Sequence, residues 1–178
     1  VARNVEIKAR VENMTALEQK VRAVATYGPE QLLQTDTFFQ ARHGRLKLRE
    51  FADGSAELIA YSRSDQSGPK LSDYERVAVH DAAGLARALA RSNDIARKVR
   101  KKRTLYLIGQ TRVHLDRVEN LGDFMELEVV LAEGESLQYG ERIVQELMQT
   151  LGIAPGHLVA SAYADLLETK HEDTSKTS

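Results

Sequence analysis

The 178-residue chain has no cysteine and no tryptophan. Without cysteine there are no disulfides, no thiolate metal sites and no cysteine nucleophile, a composition that suits the cytosol. The formal charge at pH 7 is -1, so no global basic field draws the chain to nucleic acid or to an anionic membrane. Aromatic residues make up only 6%, too few for a base-stacking platform. No apolar run approaches the length of a membrane span. The first residues carry charge where a signal peptide needs an apolar stretch. The five histidines show no zinc-ligand spacing. These absences predict a cytoplasmic protein with no nucleic acid and no membrane among its partners; a monomer or homodimer is expected.

The residues that are present predict a folded domain. Hydrophobic residues are 42% and charged residues 29% of the chain, which separates it from disordered sequences. The expected domain covers residues 1–168. The polar stretch 169–178, TKHEDTSKTS, reads as a disordered tail. The opening NVEIKARVE (4–12) alternates strictly: Val5, Ile7, Ala9 and Val11 on one side, Asn4, Glu6, Lys8, Arg10 and Glu12 on the other. That period of two marks a β-strand. Strands are also expected at 32–41, 45–51, 56–61, 73–80, 101–108, 111–118 and 124–131. Asp53-Gly54 is a hairpin signal, and Gly28-Pro29 marks a break over 26–31. Helical spacing covers 14–25, 83–92, 135–153 and 160–168. The polar Gly-Pro stretch 62–72 reads as a long loop, a lid or binding element. Strands that follow one another through hairpins make an antiparallel sheet, and about eight of them suffice to close a barrel.

Five of these strands put ionisable side chains on one face. Arg45, Lys47 and Arg49 share a face, as do Lys101 and Arg103; Arg112, His114 and Asp116 alternate with Val113 and Leu115, and Glu126 and Glu128 with Leu127. A sheet with one wet face does this routinely. If the sheet curls instead, the charged faces meet around an interior that must hold counter-charge, water or a ligand. Many cations with a few carboxylates suit a polyphosphate, with Lys and Arg on its oxygens and Glu and Asp on a bridging Mg²⁺ or Mn²⁺. The basic run RKVRKKR (97–103) also matches a nucleic-acid patch, but the balanced net charge gives it no supporting field.

Glu6-x-Lys8 resembles the end of the Glu-x-Glu-x-Lys signature of the CYTH, or triphosphate tunnel, superfamily. LKLRE (46–50), KKRTLYLI (101–108), HLDRVENLGDFMELEVV (114–130) and SAYADLL (161–167) resemble later family segments in the same order, and ELIAYSRSDQSGPKLSDYE (57–75) is similar to the class IV adenylyl cyclase branch. The resemblance implies an α+β fold: a closed eight-stranded antiparallel β-barrel with flanking helices and a charged lumen. It implies a metal-dependent enzyme that converts ATP to cyclic AMP and pyrophosphate. The alternatives are a triphosphatase acting on inorganic, thiamine or nucleoside triphosphate, and a non-catalytic polyphosphate- or nucleotide-binding module. Implied metal ligands are Glu6, Glu126 and Glu128, with Asp116 beside them, for Mg²⁺ or Mn²⁺. The implied triphosphate clamp is Lys8, Lys47, Arg49, Lys101, Arg103 and Arg112, with Arg63 and Lys70 closing from their loop. His114 is expected to bond a phosphate or to pair with a lumen acid. Glu6, Lys8, Arg103 and Asp116 are the implied catalytic set, while Tyr163 reads as packing. Asn4 departs from the signature, whose first position is Glu, and brings an amide oxygen without charge.

Overall fold

Strand β1 (Ala2–Arg10) buries Val5, Ile7 and Ala9 beneath helices, and the side chains of Asn4, Glu6 and Lys8 emerge on its other face. The whole molecule is organised by this inversion: apolar outside under helices, polar inside. The computed structural model describes residues 2–176. The other strands are β2 (Tyr27–Phe39), β3 (Arg45–Phe51), β4 (Ala56–Arg63), β5 (Lys70–Val79), β6 (Ile95–Ile108), β7 (Thr111–Val118) and β8 (Gly122–Leu131). They form a closed barrel in the order β1-β5-β4-β3-β2-β6-β7-β8. Every neighbouring pair is antiparallel. Closure leaves no sheet edge unpaired. It also makes one face of every strand look at the faces of the others, which decides between the wet-face and enclosed readings.

Helices α1, α2 and α3 cover the outer apolar faces. α1 (Met14–Val24) is capped by Asn13, whose side chain accepts from the Ala16 amide. α3 (Leu137–Leu151) starts at Ser136, which accepts from the Tyr139 amide, and stops at Gly152 with φ 72°. Leu17 and Val21 of α1 and Val144, Met148 and Leu151 of α3 pack on Val5, Ile7, Leu115, Leu127 and Val129. α3 approaches closely because of Gly140: a Cβ there would lie 2.5 Å from Val5 Cγ2. α2 (Ala82–Ser92) covers Phe39, Leu48 and Ala56. α4 (Tyr163–Lys176) instead closes an end of the barrel, setting Tyr163, Ala164 and Leu167 against Phe38, Val99, Val118 and Phe124, which share the inward face of their strands with the lumen residues.

The structure departs from the expected boundaries in four places. Gly28-Pro29 does not interrupt β2; the strand absorbs it as a bulge between Tyr27 and Glu30. Gly28 sits there at φ 108°, with the Leu105 carbonyl 2.7 Å from where a Cβ would be. The long loop shrinks to 64–69, because β4 continues to Arg63 and β5 begins at Lys70. β6 begins at Ile95, well before the predicted start at 101, since β2 pairs along its full length. Finally, residues 169–176 are not a disordered tail but continue α4, while residues 177 and 178 lie outside the described residues. Composition misreads a polar helix held from its other end. Thr169 bonds back to the Asp165 carbonyl at 3.2 Å, and the Lys170 ammonium donates to the Asn120 carbonyl. No described helix is long and apolar enough to cross a membrane.

Candidate active site in the barrel lumen

The lumen holds a cavity of about 230 Å³ lined by eight Lys and Arg side chains and five Asp and Glu side chains. The excess is positive, as a polyanion carrying a divalent cation requires. Such a density of buried charge persists only where the groups pair with one another or with a ligand. Three clusters do the pairing.

The first lies across β1, β8 and β7. Glu128 stands between Glu6 and Arg112 in the sheet register, and Glu126 between Lys8 and His114. Lys8 reaches Glu126 at 3.3 Å and Arg112 reaches Glu128 at 2.8 Å. Glu6 pairs with Arg63 at 3.4 Å. Burial, with the charges of Glu128 and Glu126 beside it, pushes the Glu6 carboxyl up to about 7. Burial acts the same way on Glu126, but Lys8 and Arg103 outweigh it and hold that carboxyl well below its usual range. Burial lowers the His114 imidazole, helped by the Arg103 charge, so the ring is neutral at pH 7. Burial acts against ionisation of Glu128 as well, but the charge of His114 in its protonated form, then Arg112 and Arg103, outweigh it and hold that carboxyl down to about 2.

The second cluster is centred on Asp36 of β2, which is 1% exposed. Arg49 donates to it through Nε and Nη2 at 2.7 and 2.8 Å, Lys47 at 3.2 Å and Lys101 at 3.3 Å. Burial would raise its pKa, but the three cations hold it well below the carboxylate range. Burial and the neighbouring Arg103 charge drive Lys101 down to about 7.

The third cluster orients Arg103. Asp116 takes a bidentate pair from Arg103 Nε and Nη2 at 2.7 and 2.6 Å. The Tyr163 hydroxyl donates to the same carboxylate at 2.8 Å. Arg103 Nη2 also reaches Glu126 at 3.2 Å, which joins this cluster to the first. The Tyr163 ring lies 4.0 Å from Lys8 Nζ and 5.2 Å from Lys101 Nζ, so the tyrosine reaches all three clusters beyond its packing contacts.

Of the residues expected to serve the site, Glu6, Lys8, Lys47, Arg49, Arg63, Lys101, Arg103, Arg112, His114, Glu126 and Glu128 all line the cavity. Lys101 and Arg103 are buried and Lys102 is exposed, which fixes the register of the basic run. Lys70 stands apart: its ammonium donates to the carbonyls of Gln66 and Ala160 at 2.9 and 3.0 Å, tying the 64–69 loop to the start of α4. Asp116 is occupied by Arg103 and Tyr163. Missing from the expected set were Asp36, Gln34, Glu57, Tyr74 and Arg76, which also line the lumen. The signal for the first two is the alternation Leu32, Gln34, Asp36, Phe38 within β2. It went unread because a lone acid among neutral residues shows no charged face until its strand partners are known.

Among the described residues, His114, Glu126 and Glu128 bring ligand atoms within 4.8 Å of one another, a group able to hold a metal ion. His114 Nδ1 lies 3.6 Å from both carboxylates, too far for a hydrogen bond, and has no other partner among the described residues. A buried imidazole nitrogen without a donor or acceptor, facing two ionised carboxylates, fits a divalent cation that accepts nitrogen and oxygen ligands. Glu6 and Asp116, expected as ligands, are not part of this tight group.

The family model for the CYTH domain matches residues 2–163. This chain belongs to the CYTH family. The chain is 27% identical over 177 residues to adenylate cyclase CyaB of Aeromonas hydrophila, covering 92% of this chain and 88% of the relative. The barrel superposes on the PH1012 protein of Pyrococcus horikoshii with a TM-score of 0.82 at 22% identity, covering 92% and 98% of the two chains. It superposes on a Hippeastrum protein, described as a putative adenylyl cyclase with a dominant triphosphatase activity, with a TM-score of 0.65 at 16% identity, covering 94% and 96%. The two superpositions establish a shared fold, that of the triphosphate tunnel expected from the sequence.

Proposed function

We propose that this CYTH protein is a metal-dependent enzyme acting on a triphosphate, with ATP cyclisation to cyclic AMP and pyrophosphate as its reaction. The observation that carries the reading is the enclosed lumen, where a positive excess surrounds a carboxylate–imidazole group suited to Mg²⁺ or Mn²⁺. The relation to the Aeromonas adenylate cyclase supports the choice of reaction.

In this reading Lys8, Arg103 and Arg112 bind non-bridging phosphate oxygens from one wall, and Lys47, Arg49 and Lys101 from the other. Phosphoryl chemistry of this kind depends on positioning and charge neutralisation more than on a covalent nucleophile. Asp36 and Asp116 do not touch the substrate; they hold the cations in place. Glu126, Glu128 and His114, with Glu6 facing them, would hold a divalent ion, which would supply further charge neutralisation and make a bound hydroxyl more acidic. The ribose 3′ oxygen bonds to the α-phosphorus, the bond from that phosphorus to the bridging oxygen breaks, and pyrophosphate leaves with the electron pair. The hydroxyl proton passes to solvent through the lumen acids.

Hydrolysis of the terminal phosphate of inorganic, thiamine or nucleoside triphosphate is the second reading. The same clamp and carboxylates would serve it. Asn4, which gives the signature one carboxylate fewer, argues instead for a third reading, a module that binds without turnover. Incubation with ATP, inorganic triphosphate and thiamine triphosphate in Mg²⁺ or Mn²⁺ separates the two. Cyclic AMP with pyrophosphate establishes the first reading and orthophosphate release the second. Thermal stabilisation by these ligands with no turnover leaves a binding module. The cytosolic setting and a monomeric or homodimeric state complete the proposal, and are checked by fractionation and sedimentation.

A further inference from the structure

One wall of the lumen is not built for phosphate. Leu32, Phe51 and Leu105 line the cavity, half-buried, where β3, β2 and β6 run side by side. Leu32 and Phe51 also line a hollow on the outer surface beside the Asp53-Gly54 hairpin, so this apolar wall lies at a mouth of the tunnel. Gln34 sits among them. It pairs in register with Phe51 on one side and with Lys101 on the other, and it is 4% exposed. Its Oε1 is buried without any hydrogen-bond donor among the described residues. An unsatisfied buried carbonyl is costly, so a ligand that brings a donor to it gains specificity as well as affinity.

The cavity of about 230 Å³ falls below the volume of pockets that enclose a whole drug-sized ligand. A triphosphate chain fits among the cations, and an organic group attached to it extends to the mouth. The wall there offers a flat apolar surface and one acceptor. Resting on the triphosphate reading above, we infer that Gln34, with Leu32, Phe51 and Leu105, forms a recognition site for an amino-bearing heterocycle joined to the triphosphate. The exocyclic amino group donates to Gln34 Oε1 while the ring lies on the apolar side chains. An aminopurine nucleotide and the aminopyrimidine of thiamine triphosphate share this chemistry; inorganic triphosphate lacks it. Gln34 is thus a specificity residue, outside the phosphate clamp.

The test is calorimetric binding to the wild-type protein in EDTA, where no turnover proceeds. The ligands are ATP, inosine triphosphate, thiamine triphosphate and inorganic triphosphate. Inosine triphosphate keeps the ribose and the phosphates but replaces the amino group with an oxo group. ATP is expected to bind about 5- to 100-fold more tightly than inosine triphosphate, the range set by leaving a buried polar group unpaired. In Gln34→Leu that difference disappears, and inorganic triphosphate binds as it does to the wild type. Thiamine triphosphate binding more tightly than ATP identifies the aminopyrimidine as the source of the donor. Equal affinity of the wild type for ATP and inosine triphosphate overturns the inference without recourse to any variant, as does a difference that persists in Gln34→Leu. If inorganic triphosphate binds but the bases make no difference, only the Gln34 site falls. If no triphosphate binds, the phosphate-clamp reading falls with it.

Discussion

Replacing Asp36 with asparagine should weaken the empty protein and leave it more dependent on its ligand. The side chain is 1% exposed and is shared by Arg49, Lys47 and Lys101 at 2.7–3.3 Å. Asparagine keeps the shape and removes the charge, so buried Lys101 and half-buried Lys47 and Arg49 lose their common counter-ion. Breaking a buried pair from one side costs about 3–5 kcal/mol. Lys101, already down at about 7, can shed its proton and relieve part of that, which places the expected loss near the lower end, about 3 kcal/mol. For a chain of this size each kcal/mol shifts the melting temperature by about 2–4 °C, so the variant should melt roughly 6–12 °C lower. Inorganic triphosphate supplies the missing negative charge in the same place. At a concentration about a hundredfold above Kd it contributes about 2.7 kcal/mol to any protein that binds it. It should stabilise Asp36→Asn by more than it stabilises the wild type. Thermal melts followed by circular dichroism, with and without triphosphate, measure both quantities. A variant melting within about 2 °C of the wild type would refute the reasoning. So would a triphosphate shift larger in the wild type, because Asp36 would then not be the internal substitute for the ligand's charge.

Lys101 gives a pH prediction. Its folded value of about 7 lies below the ordinary 10.5, so across that window the unfolded chain holds more protons and this group makes stability rise with pH. An anion bound beside it restores the proton, so calorimetry near pH 8 in buffers of different ionisation enthalpy should show proton uptake on triphosphate binding, reduced in Lys101→Met; equal uptake in both proteins would show that another group titrates. Asn4→Glu adds a carboxylate at a position 3% exposed. The variant should melt lower than the wild type without metal and gain more from Mn²⁺, and an unchanged Mn²⁺ shift would remove Asn4 as the cause of a weak site. In Gly140→Ala the new methyl meets Val5 Cγ2 at 2.5 Å. Overpacking of about 1–3 kcal/mol exceeds the helix-propensity gain of about 1 kcal/mol, so urea titration should find a less stable protein.

Period-two alternation was enough to find the strands, because a residue's side of a strand depends only on its neighbours along the chain. The bounds of β3 and β7 match those the alternation predicts, and the acids and bases from Glu6 to Glu128 stand out in the sequence as charged faces. Boundaries failed where pairing outweighed local chemistry. The Gly28-Pro29 signal yielded to the β2–β6 ladder, and the polar helix after Glu168 looked like a tail because nothing in its composition shows what holds its start. The order of segments also carried the family.

Barrel closure determined the rest, by bringing together residues far apart in the chain. Only closure makes Asp36 the partner of Lys101 as well as of Lys47 and Arg49. Tyr163 reaches Asp116 from a helix that begins after the last strand. His114, rather than Glu6 or Asp116, joins Glu126 and Glu128 in the tight group. The sequence sets which side chains share a face of each strand, because that is a local property of the backbone. Which charge neutralises which is set by register and curvature across strands, and electrostatic energy depends on those distances, not on spacing along the chain.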